Sequence, residues 1–124
     1  MDRCRPAGAA LTEAREVLIH AFAEDPEVVA GALRVARNAA QALPEDSVQV
    51  VVQGIAVTGI AVGGGFDEDI AGTLARGVRI VACGNSMERA HLESSQMAPG
   101  VQVVPSAVAH LANQQWAGAA YVRV

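Results

Sequence analysis

Val78-Arg79-Ile80-Val81-Ala82-Cys83-Gly84-Asn85-Ser86-Met87 decides how the rest of the chain is read. A β-branched, apolar run reads as a strand, and Gly84 then turns the chain into a helix start. The strand delivers a thiol, Cys83, to its carboxyl end, beside N–H groups that a new helix leaves unpaired. Thiolate rather than thiol is the nucleophile, and such donors favour the thiolate. Placement alone leaves Cys83 two roles: a reactive thiol, or a small buried hydrophobe of the kind free cysteines often are.

Upstream, Val17-Leu18-Ile19-His20-Ala21-Phe22 is apolar on both faces, as an interior parallel strand is. Asp25-Pro26-Glu27 follows as a helix start, with Asp25 able to accept from free N–H groups and Pro26 suited to the first helical position. Val29, Ala32, Leu33, Ala36, Ala40 and Leu43 recur at helical spacing until Pro44. Val48-Gln49-Val50-Val51-Val52-Gln53 predicts a second strand ending at Gly54. The segment from Ile55 to Val62 reads as a loop or short helical turn packed against another subunit. Phe66, Ile70 and Leu74 predict a second helix that starts on Asp67, Glu68 and Asp69 and stops at Gly77.

Downstream of the opening stretch, Asn85 and Glu88 have the spacing of a capping box. Pro99-Gly100 marks a turn, and Val101-Gln102-Val103-Val104 predicts a fourth strand. Ser106 caps a helix whose inner stripe is expected at Val108, Leu111, Ala112 and Gln115 or Trp116. Ala120-Tyr121-Val122-Arg123-Val124 closes as a fifth strand. Strands alternating with helices predict an α/β fold, a three-layer α/β/α arrangement around a five-stranded, mainly parallel sheet. Ligands in such sheets bind beyond the carboxyl ends of the strands, where Cys83 to Ser86 and Pro105 to Ala107 arrive.

Composition narrows the function classes. The 124 residues are 52% hydrophobic, mostly Ala and Val, with one Trp, one Tyr and two Phe. That suits a single domain, residues 15–124, after a leader of residues 1–14 that contains Cys4. A core so poor in aromatics points to further burial between subunits. The net charge of −4 and the lack of a basic stripe argue against nucleic acid. No run has the length of a membrane span or a signal peptide, so a cytoplasmic protein is expected, with no membrane partner. His20, His91 and His110 share no ligand spacing, so no metal is expected, and nothing calls for a cofactor. Gly63-Gly64-Gly65 lacks the Lys-Ser/Thr ending of a phosphate loop and precedes three acids, so it reads as a hinge. One cysteine without a Cys-x-x-Cys partner leaves single-thiol chemistry: a persulfide or acyl carrier, or a redox sensor cycling through sulfenic acid.

The segment Gly77-Val78-Arg79-Ile80-Val81-Ala82-Cys83-Gly84-Asn85-Ser86-Met87 resembles the Gly-Val-x-φ-x-x-Cys-x-Asn-Thr/Ser-φ signature of a short branch of the DsrE/DsrF-like proteins. Pro99 to Ser106 resembles that branch's fourth-strand segment. Leu111 through Gln115, Gly118 and Ala120 to Arg123 resembles its Leu-x-x-x-Gln-x-x-Gly-x-x-Tyr-φ ending. The resemblance implies a three-layer fold with a five-stranded parallel sheet, and homo-oligomers, often trimers or hexamers. It also implies intracellular sulfur relay, with a persulfide carried on Cys83 between a donor and an acceptor protein. Gly84, Asn85 and Ser86 are the implied surroundings of the thiol. The competing reading is a non-catalytic oligomeric module that binds a small ligand, with Cys83 structural.

Overall fold

A computed structural model describes residues 15–124. The leader and Cys4 lie outside the described residues. Five strands form one sheet in the order β4-β3-β2-β1-β5, and every pairing is parallel. The strands are β1 (Glu16–Phe22), β2 (Ser47–Gln53), β3 (Arg79–Cys83), β4 (Gln102–Val104) and β5 (Ala120–Arg123). Between them run α1 (Val28–Ala42), α2 (Asp67–Ala75), α3 (Gly84–Arg89) and α4 (Ala107–Trp116). The expected three-layer α/β/α architecture is therefore the observed one.

The handedness of crossover connections explains the layering. From β1 to β4 the chain steps across the sheet in one direction, and right-handed connections then keep their helices on one face. Val29, Ala32, Leu33 and Ala36 of α1, Ile70 of α2 and Met87 of α3 pack there on Ile19, Ala21, Val50, Val52, Ile80 and Ala82. The return from β4 to β5, beyond β1, runs in the opposite direction and puts α4 on the other face. Ala107 and Leu111 of α4 cover Leu18, Val51, Val81 and Cys83 in a much smaller cluster. One layer is thick and one is thin.

Three local expectations need correction. Residues Ile55–Ile60 form a 3-10 helix whose Ala56, Val57 and Ile60 are buried in this chain's own larger core, not against another subunit. Asp25 Oδ1 does accept a free N–H, that of Glu27 at 2.9 Å, but helix α1 begins only at Val28, so Pro26 is not its first residue and the first turn closes on the Asp25 and Pro26 carbonyls. The inner face of α4 is also rotated from the expected stripe. Ala107 and Leu111 face the sheet, with His110 and Gln114 half-buried beside them, whereas Val108 (64% exposed) and Trp116 (82% exposed) point away. Hydrophobicity misplaced that face because the sheet beneath it offers a polar partner, Gln49, which meets His110 and Gln114.

The unequal layers give a stability difference. Leu33→Ala empties a fully enclosed site and is expected to cost about 2–5 kcal/mol. Leu111→Ala, at the rim of the thin layer, is expected near the lower end, about 2 kcal/mol. Denaturant midpoints at constant m-value measure both.

Candidate functional site: a thiol at the switch point of the sheet

Strands β3 and β4 are neighbours, yet the chain leaves β3 toward one face, into α3, and leaves β4 toward the other, into α4. In open parallel sheets such a divergence opens the crevice where ligands bind. Cys83 is the last residue of β3, and its side chain belongs to the α4-side cluster. Val104, Pro105 and Ser106 form the opposite wall. The two walls touch because Gly84 has no side chain: a Cβ there would stand 3.0 Å from the Val104 carbonyl oxygen and 3.4 Å from Pro105 Cα. Read from the sequence, Gly84 turns the chain from strand to helix. In the structure it also makes room for the β4–α4 connection, which brings the Ala107 N–H to 3.4 Å from Cys83 Sγ.

Further donors surround the sulfur. Ser86 is buried in the first turn of α3; its Oγ accepts from the Gly54 N–H at 2.8 Å, which leaves its proton free to point to the sulfur. Gly54 has to be glycine for this, with φ 82° and a would-be Cβ only 2.5 Å from the Ala23 carbonyl oxygen. Burial by itself pushes the Cys83 thiol pKa up. The polar groups beside the sulfur, the Ser86 hydroxyl and N–H first and then the N–H groups of Ala107 and Asn85, outweigh it and hold the thiol below its ordinary value. The sulfur is at the same time enclosed, with Cys83 only 2% exposed.

Of the four expected site residues, the structure therefore joins Cys83, Ser86 and the backbone of Asn85, while Gly84 shapes the wall. Asn85 is not a cap. Helix α3 starts at Gly84, with Cys83 in the N-cap position and no side-chain capping bond, so Asn85 lies inside the first turn. Its side chain is exposed, and its N–H reaches the Pro105 carbonyl at 3.1 Å.

Two histidines share the α4-side face with Cys83, which linear spacing could not reveal. His20 is buried; its Nε2 donates to Gln53 Oε1 at 2.8 Å, and its Nδ1 takes the Tyr121 hydroxyl proton at 2.6 Å. Burial lowers its pKa, the Gln53 bond opposes this, and the nearby Arg123 charge adds to the lowering. Gln53 ends β2 next to the end of β3, so an aromatic and polar file of Tyr121, His20 and Gln53 leads across the face toward the thiol. Arg123 donates to the Phe22 carbonyl at 3.0 Å and lies over the Phe22 ring, 5.8 Å from its centroid. His91 is exposed, with φ 58°. No group of three or more His, Cys, Asp or Glu among the described residues is placed to hold a metal ion. The glycine run lines an acidic cleft of about 400 Å³ with Asp67, Glu68 and Asp69, and the Gly63 N–H is already satisfied by the Asp67 carboxylate. No helix of the described residues is long and apolar enough to cross a membrane.

No family profile matches the chain, and no curated protein matches it. Solved structures do. A protein of unknown function, MTH1491 from Methanobacterium thermoautotrophicum, is 26% identical with a TM-score of 0.82, over 89% of this chain and 99% of that one. The ychN protein from E. coli is 13% identical with a TM-score of 0.73, over 90% of this chain and 100% of that one. A conserved protein of unknown function, BT1422 from Bacteroides thetaiotaomicron, is 16% identical with a TM-score of 0.70, over 97% and 100%. The fold is shared along nearly the whole length of each.

The donor geometry separates two neighbouring residues. Ser86→Ala removes one donor from the sulfur and leaves the buried Gly54 N–H without its acceptor. It is expected to raise the Cys83 thiol pKa and to cost about 1–3 kcal/mol. Asn85→Ala keeps the backbone donor and is expected to change stability by less than about 0.5 kcal/mol. Alkylation rate against pH and thermal melts read the two effects.

Proposed function

We propose that this protein is a sulfur carrier of the DsrE/DsrF-like kind, in which Cys83 holds sulfane sulfur as a persulfide. The observation that carries the reading is the position of Cys83 at the end of β3, at the switch point, with the Ala107 N–H on its sulfur at 3.4 Å and Ser86 beside it. In the first half-reaction the Cys83 thiolate attacks the outer sulfur of a donor persulfide. The donor's S–S bond breaks, the donor leaves as its thiolate, and Cys83 gains one sulfur atom. An acceptor thiolate then attacks that outer sulfur and Cys83 departs as thiolate, with no net oxidation. The same donors stabilise the sulfur anion as attacking group and as leaving group. Such a cycle needs a reducing compartment, in keeping with a cytoplasmic site of action.

The assembly belongs to the same proposal. A homo-oligomer, a trimer or hexamer by the resemblance, is supported by surface that the single chain leaves open. All four residues of β5 are exposed, including Tyr121 and Val122, and the outward stripe of α4 carries Val108 and Trp116. Light scattering is expected to give a mass that is a multiple of three subunits, with Trp116→Arg shifting it toward the single chain.

The enclosure of Cys83 favours a second reading, in which the thiol is structural and the oligomer binds a small ligand. One experiment separates the two. After incubation of the native protein with a low-molecular-weight persulfide, intact-mass analysis is expected to show a gain of about 32 Da that is absent in Cys83→Ser. No adduct, together with thiol labelling that proceeds only on unfolding, would establish the structural reading instead.

A further inference from the structure

Gln49 is out of character with its strand. It lies midway along β2 with no exposed surface, among valines, and on the α4 side. Its amide is fully occupied. Oε1 accepts from His110 Nε2 at 2.7 Å, and Nε2 donates to Glu16 Oε2 at 2.8 Å and to Gln114 Oε1 at 3.3 Å. Glu16 is itself held by the Arg79 guanidinium. His110 and Gln114 stand on successive turns of α4, so one buried amide grips the helix at two points on the face it turns to the sheet.

That grip is close to the thiol. Ala107, whose N–H reaches Cys83 Sγ, lies three residues before His110 on the same face of α4. The buried apolar part of this helix is just Ala107 and Leu111. Contacts of an alanine and a leucine are non-directional, and a small rotation or slide along the helix axis changes them little. Hydrogen bonds in a dry interior are directional and are lost by the same movement.

We infer that Gln49 and His110 are positioning residues for Cys83, fixing the rotation and height of α4 so that the Ala107 N–H stays aimed at the sulfur. The inference builds on the reading of Cys83 as the reacting thiol, but it concerns where a helix sits and is measurable without any sulfur transfer. The side chains of Gln49 and His110 hydrogen-bond to each other and not to the sulfur, and they act through α4.

The test is the pH profile of Cys83 alkylation by iodoacetamide in full-length Cys4→Ser protein, where Cys83 is the sole thiol. In His110→Leu, and in the double variant Gln49→Leu with His110→Leu, the midpoint of the profile is expected to rise by about one pH unit, a tenfold loss of thiolate at neutral pH. His110→Gln, which can still donate to the Gln49 oxygen, is expected to restore the original midpoint, and His110→Asn, which is too short, is not. A midpoint that stays in place in folded His110→Leu or His110→Asn, whatever happens to the melting temperature, overturns the assignment. Should His110→Leu fail to fold, the comparison of His110→Asn with His110→Gln decides alone. Absence of the persulfide adduct, with the midpoint shifts in the variants still observed, counts against sulfur carriage and leaves the positioning role intact.

Discussion

A right-handed crossover leaves the chain no choice of side, and this constraint organises the molecule. Three steps in one direction stack α1, α2 and α3 on one face, and the single step back sends α4 to the other. The asymmetry of the two layers, the divergence of the chain after β3 and β4, and the enclosure of Cys83 between them all descend from it. The thiol gains its donors because two connections that part at the sheet edge must pass within van der Waals contact of each other. Gly84 lets them do so.

Much of this was legible in the sequence. The β-branched runs marked the strands, the acids at Asp67, Glu68 and Asp69 marked the start of α2, and Ser106 caps α4 by accepting from the Ala109 N–H, as expected. Cys83 was placed correctly at the end of an interior strand, because hydrophobic runs and glycine breaks are local signals. Asn85 was misread for the same reason: its spacing to Glu88 is that of a capping box, but the cap position is set by where β3 ends. The inner face of α4 was off because hydrophobic periodicity assumes an apolar partner. His20, Gln53 and Gln49 were invisible as a group, since strand register, not sequence spacing, brings them to one face.

The thin layer shows how a helix can be fixed without much apolar area. Buried amides are costly when unpaired and directional when paired, so they specify one arrangement where Ala107 and Leu111 would accept several. On the thick face, by contrast, Val29, Leu33, Ile60 and Ile80 interlock by shape, and polar ties such as Arg37 to Thr73 and Gly54 to Ser86 add to a large apolar contact. The molecule thus relies mainly on apolar packing on one side and leans more on hydrogen bonding on the side that carries the thiol.

The pairing of β1 with β5 has a kinetic consequence. His20 and Tyr121 are 101 residues apart in sequence, so the edge of β1 stays unpaired, and His20 without its phenol partner, until the last strand in chain order docks. Long-range parallel pairings form slowly because the intervening loop must close first. During synthesis, β1 to β4 and the thick layer can assemble while this edge remains open to other strands. Docking of β5 is therefore the step that closes the β1 edge and leaves β5 as the outer strand on that side of the sheet.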